Sequence, residues 1–139
     1  MSNLTLPELA KKMAKLDFAM LGTTGSDAGP TARPMSNNGD VEYDGNSFFF
    51  TNEESDVAKE IEDNSNVSLS FNGRGKLFIA VLGEAELIRD KKEMEDHWQQ
   101  DLEKWFEDGI ETPGIVMIHT KASRIRYWEG EEQGEIRLQ

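Results

Sequence analysis

The sequence has no cysteine in its 139 residues, which excludes a disulfide framework, a thiolate metal site and a cysteine nucleophile. A reducing, cytoplasmic location fits that absence and is the expectation. No apolar stretch approaches the roughly 18 residues that a membrane helix needs, so no membrane partner is expected. The start, Met1-Ser2-Asn3-Leu4-Thr5-Leu6-Pro7-Glu8, lacks the basic segment and apolar core of a secretory signal. Positive charge is scarce as well: 15 Lys and Arg against 27 Asp and Glu give a formal charge of −12. That field repels polyphosphate at long range, so nucleic acid is not an expected partner. An acidic surface of this kind also keeps a protein soluble.

Catalytic constellations are equally sparse. His97 and His119 are the two histidines, and neither has a second histidine or a cysteine as a metal-ligand partner at i+2 or i+4. A zinc site of the usual spacing is therefore unsupported, no metal is expected, and both read as surface or half-buried side chains. Glu53-Glu54 and Glu131-Glu132 read as solvated loop charges. The chain carries no G-x-S-x-G, Walker loop or G-x-G-x-x-G. Hydrolase and kinase readings fail, and the catalytic residues stay unknown.

What is present is a run of short periodic segments. Thr5-Leu6-Pro7-Glu8 is a capping box with proline in the first turn, followed by a helical stripe of Leu6, Leu9, Met13 and Leu16. Residues 18–23 and 31–36 read as strands separated by a turn at Gly25-Ser26-Asp27, and Pro34 suits an edge strand. Turn signals at Asn38-Gly39-Asp40 and Asp44-Gly45-Asn46 bracket a short strand. An aromatic strand follows over residues 47–51. Ser55 caps a helix with Val57, Ala58 and Ile61 that ends near Asn64. Residues 67–71 alternate, Asn72-Gly73-Arg74-Gly75 marks a hairpin rather than a phosphate cradle, and residues 76–88 continue as a long strand.

Asp90 with Glu93 forms a second capping box, which opens a helix carrying Met94, Trp98, Leu102 and Trp105 or Phe106 on one face. Two strands, 115–120 and 123–128, then precede an acidic tail. With no internal repeat and no long linker, residues 1–139 are expected to form a single domain. Six or more strands and three short helices predict a mainly β, small antiparallel barrel, with closure hiding the strand edges. The interior of so small a barrel is nearly filled. A large planar ligand would then sit outside it, at a subunit interface.

Several of these segments match a known pattern in order and spacing. They are Ala32-Arg33-Pro34-Met35-Ser36, Phe48-Phe49-Phe50-Thr51-Asn52, Ser55, and Asn64 with Val67-Ser68-Leu69-Ser70-Phe71. Gly83-Glu84-Ala85-Glu86, Trp105-Phe106-Glu107-Asp108-Gly109 and Tyr127-Trp128 continue the match. Their joint order resembles the general stress protein 26 branch of the pyridoxamine 5′-phosphate oxidase-like, FMN-binding split-barrel family. The resemblance implies an antiparallel split β-barrel homodimer, with FMN at the dimer interface. It implies that Arg33, Pro34, Met35 and Ser36 run along the isoalloxazine ring, and that Phe50 and Thr51 border the ribityl chain.

Chemistry agrees with those roles. Arg33 can grip a phosphate in bidentate fashion, and hydroxyls at Thr51 and Ser55 beside a helix start can add donors. Trp105 and Trp128 can wall the ring, although core or dimer packing explains them equally well.

Two departures stand out. The family usually places a phosphate-neutralising lysine two positions after the serine, where this chain has Val57, preceded by Asp56. Lys59 lies two residues further on, about 200° around the helix, and points away unless the helix start shifts. Losing that lysine removes about 1.5–3 kcal/mol, or roughly 10- to 100-fold in FMN affinity. The ending Trp128-Glu129-Gly130-Glu131-Glu132 would repel a phosphorylated substrate, so a true pyridoxamine phosphate oxidase is not expected. Three functions follow from the resemblance: a flavin-binding stress protein with auxiliary oxidoreductase activity, a flavin-sequestering module, and a dimeric protein that has lost FMN.

Overall fold

The computed structural model describes residues 4–25, 29–37 and 42–138. Helix α1 (Leu6–Met13) starts as its capping box dictates: Thr5 accepts from the Glu8 amide while the Glu8 side chain accepts from the Thr5 amide. Strands β1 (Phe18–Thr23) and β2 (Thr31–Ser36) pair antiparallel. Strand β3 (Asn46–Asn52) then leads to α2 (Asp56–Asp63), whose N-cap is Ser55 and whose C-cap is Asn64. Strands β4 (Asn66–Asn72) and β5 (Leu77–Ile88) form the hairpin signalled by Asn72-Gly73-Arg74-Gly75. Helix α3 (Lys91–His97) is followed by strands β6 (Ile115–Glu129) and β7 (Glu132–Arg137).

The strands form one seven-stranded antiparallel sheet in the order β2-β1-β4-β5-β6-β3, with β7 beside β6. Its inner face carries Leu21, Leu69, Ile79, Ile118, Ile125 and Tyr127, and α1 packs Leu9 against them, all essentially solvent-free. The curled sheet does not close. Strands β2 and β3 remain the two ends of the path, so the fold is a split barrel, and edge protection must come from other devices. On β2 one such device is Pro34, which has no amide to offer a foreign strand.

Three further expectations need correction. Residues 115–129 form one strand and not two, because Ser123 bulges out between the Leu82–Arg124 and Gly83–Ala122 pairs. A bulge bends a strand without ending it. The acidic tail contains β7, whose polar residues suit an edge strand packed on one side only. The long helix from Asp90 stops at His97. Trp98 turns to extended backbone, and a 3₁₀ turn takes over at Gln100–Lys104. Tertiary packing overrides the helical period here: Trp98 meets Phe50 edge-on at 4.9 Å and Phe106 at 6.0 Å. Asp90 occupies the N-cap position without a side-chain capping bond.

The aromatic strand faces two cores. Phe49 enters the barrel, whereas Phe50 joins Met94, Ile115 and Met117 in a second cluster under α3. The expected turns at Gly25-Ser26-Asp27 and Asn38-Gly39-Asp40, and the short strand after the latter, fall wholly or partly on residues outside the described set.

Candidate functional site

Because the sheet is open, the β2 edge and the aromatic strand β3 flank a cleft of about 730 Å³. Pro34, Met35 and Ser36 line it from β2, Phe48 and Phe50 from β3, and Leu102, Trp105 and Phe106 from the segment after α3. The size is that of a small-molecule site, and aromatic walls suit a planar guest. Its charged lining consists of Asp17, Asp101 and Lys104. Trp105 is 73% exposed, an unusual position for an indole that only fills a core.

Five of the residues singled out from sequence therefore come together: Pro34, Met35, Ser36, Phe50 and Trp105. The other five do not line this cleft. Alternation along β2 turns Arg33 toward α2, away from Pro34. There its guanidinium donates to the Leu21 carbonyl at 3.1 Å, to Thr23 Oγ1 at 2.8 Å, to Thr31 Oγ1 at 2.8 Å and to Glu60 at 3.2 Å. Both threonine hydroxyls also donate to Glu60. Thr51 donates to Ser55 Oγ at 3.1 Å, and Ser55 Oγ accepts the Ala58 amide at 3.2 Å, so these hydroxyls serve the helix start. Lys59 is exposed and sits 3.8 Å from Glu54. Trp128 lies twelve positions beyond Val116, the partner of Thr51, and pairs instead with Phe78 and Gln133. Arg126 covers its ring at 5.0 Å. Val57 is buried in the barrel core.

Glu60, which holds Arg33 away from the cleft, is the buried charge that the sequence expectations did not include. Its signal was present: it lies three residues after Val57 and one before Ile61, on the apolar face of α2, where a charge needs a partner. Hydrogen bonds from Thr23, then Thr31 and Arg33, hold its carboxyl below the ordinary value of 4.5 and outweigh the opposing effect of burial. A carboxyl whose folded pKa is depressed stabilises the fold above its unfolded pKa, and that contribution is lost as pH falls through the folded one. Urea unfolding followed from pH 7 downward should show stability declining below about pH 4.5. In Glu60→Gln the decline should be shallower but still present, because Glu8 and Glu135 have lowered pKa values too. An unchanged acid limb in the variant would mean that Glu60 does not titrate as this geometry requires.

The two histidines, expected to be unremarkable, flank Phe48. His97 stacks on it at 3.6 Å and His119 at 4.6 Å. His119 Nε2 lies 2.8 Å from Asn46 Oδ1 and its Nδ1 lies 3.3 Å from Glu86. They steady one wall of the cleft. Among the described residues no group of three His, Cys, Asp or Glu side chains is placed to hold a metal ion, and no helix is long and apolar enough to cross a membrane.

Residues 5–138 match the family model described as pyridoxamine 5′-phosphate oxidase like. No curated protein matches the chain. Among solved structures, a protein from Clostridium acetobutylicum related to general stress protein 26 is similar, with 19% identity and a TM-score of 0.82, over 96% of this chain and 94% of that one. General stress protein 26 from Bacillus anthracis has 23% identity and a TM-score of 0.78, with 97% and 100% covered. A general stress FMN/FAD binding protein from Xanthomonas citri has 23% identity and a TM-score of 0.75, over 95% and 96%. At such identities the likeness is one of fold.

Proposed function

This chain belongs to the pyridoxamine 5′-phosphate oxidase like family, and on that premise we propose that it is a flavin-binding protein whose cleft between β2 and β3 receives the isoalloxazine ring. The observation that carries this reading is the cleft itself, with Pro34 and Met35 on one side and Phe50 and exposed Trp105 on another. A bound flavin would supply electron or hydride transfer, with FMN the form that the family resemblance implies. The protein's part is to hold and shield the ring. The similar Xanthomonas citri protein, described as FMN/FAD binding, supports the ligand class.

The reading extends to a homodimer. The outer face of the sheet presents Phe18, Met20, Phe78 and Leu82, all at least a third exposed. A second copy covering that face would bury apolar area and narrow the mouth of the cleft.

One titration tests the proposal. Riboflavin or FMN added to the protein should lose fluorescence as the ring stacks on aromatic side chains, and sedimentation of the complex should give a two-chain mass. Trp105→Ala should weaken the binding about tenfold. Because Trp105 is exposed, the same variant should stay within about 0.5 kcal/mol of wild-type stability. Binding undiminished by loss of this indole would remove the ring from the cleft. In the loaded protein, anaerobic NADH or NADPH then distinguishes an oxidoreductase, whose flavin bleaches, from a sequestering module, whose flavin stays oxidised.

A further inference from the structure

The aromatic end of the cleft suits a flavin ring, but the surroundings do not suit a phosphate. A phosphate monoester carries between −1.5 and −2 charges near neutral pH and needs cations free to meet it. The cleft lining sets one cation, Lys104, against two carboxylates, Asp17 and Asp101. Beyond Phe50 the chain runs through Thr51 into the start of α2, where Glu53, Glu54 and Asp56 are all exposed.

The cations in that region already have carboxylate partners. Lys59 is 3.8 Å from Glu54, and Arg89 is 3.8 Å from both Glu53 and Glu62. Arg33, the residue expected to grip a phosphate in bidentate fashion, is 3.2 Å from buried Glu60 and is further held by two threonines and a backbone carbonyl. Releasing it would strand a buried carboxylate. Thr51 donates its hydroxyl proton to Ser55 Oγ, which also accepts the Ala58 amide, so the Ser55 hydroxyl is an uncharged donor set among these carboxylates.

We infer that the cleft selects a neutral, unphosphorylated isoalloxazine of the riboflavin type over FMN. The inference rests on the flavin reading above and sharpens it. Ring stacking is common to both ligands, so preference is decided by the tail, and a dianionic tail meets net negative charge on a chain of formal charge −12. A hydroxylated tail incurs no such repulsion.

Parallel fluorescence titrations of the wild-type protein with riboflavin and with FMN test it. Riboflavin should bind at least as tightly as FMN. Raising the ionic strength should tighten FMN, by screening the repulsion, and leave riboflavin unmoved. Asp56→Lys reverses an exposed charge at the start of α2 and leaves the core untouched. It should shift the preference about fivefold toward FMN. FMN binding ten times tighter than riboflavin would overturn the inference and leave the flavin reading standing, as would an Asp56→Lys protein with an unchanged ratio. If neither flavin binds, both readings fall together.

Discussion

Val57→Lys is expected to cost about 3 kcal/mol of stability and to bring no gain in flavin affinity. Burial of a valine side chain is worth about 1.5–3 kcal/mol, and Val57 is 6% exposed within the barrel core. The lysine ammonium must then either desolvate or drag its stem past Ser55 to reach water, and each alternative adds to the loss. Chemical unfolding in urea, read by tryptophan fluorescence, measures the cost. Asp56→Lys is the control, since Asp56 is exposed on the same turn. It should cost less than about 1 kcal/mol, the usual worth of an acid at a helix start. A Val57→Lys protein as stable as wild type, with FMN bound more tightly, would mean that position 57 faces the ligand and not the core.

That expectation runs against the one suggested by resemblance alone, and the difference shows what a sequence can and cannot carry here. The starts of α1 and α2 were legible because Thr5-Leu6-Pro7-Glu8 and Ser55 act locally, through hydrogen bonds spanning three residues. The β1, β2, β4 and β5 strands were legible because alternation is local too. The direction of a side chain at the start of α2 is different: it depends on how the helix docks, which contacts distant in sequence decide. Gly25 illustrates this, since a Cβ there would come within 2.3 Å of the Glu60 carbonyl oxygen. The close approach that seats α2 thus lies between residues thirty-five apart.

The candidate site divides along the same line. Pro34, Met35, Ser36 and Phe50 all line the cleft. The three consecutive β2 residues do so because an edge strand, marked by its proline, is open to the cleft along its border and not on one face alone. Arg33 does not reach it, although alternation puts it on the same face as Met35, because Thr23, Thr31 and Glu60 of α2 hold its guanidinium. The helix expected to carry Trp105 ended early because Trp98 gains more from packing on Phe50 than from continuing a helical turn. The expected break between residues 120 and 123 is instead the approach to the bulge at Ser123, and a bulge interrupts alternation in the sequence as a loop does. In each case the missing information was a contact between residues far apart in the sequence.

Gly83→Ala should be the other severe substitution, and it tests how the two long strands are held. A Cβ at Gly83 would lie 1.9 Å from the Lys121 carbonyl oxygen and 2.8 Å from its carbonyl carbon. Both are backbone atoms, so no side chain can swing aside. The ladder must open at the one place where β6 is already bulged, and overpacking of this kind costs about 3 kcal/mol. The strain would also pass to the cleft. Residues 115–121 of β6 hold β3 on their other edge, including the Phe48–His119 and Phe50–Met117 pairs, so displacement of β6 carries the aromatic wall with it. Ser123→Ala separates this close approach from the bulge's own hydrogen bond. It removes only the Ser123 hydroxyl donated to the Leu82 carbonyl at 3.2 Å and should cost about 1 kcal/mol or less. Urea midpoints for the two variants, with flavin titration of each, should place Gly83→Ala far below Ser123→Ala in both stability and binding. Equal midpoints would mean that the strands have room at the bulge, and that the bend carrying β6 from β7 to β3 does not depend on glycine.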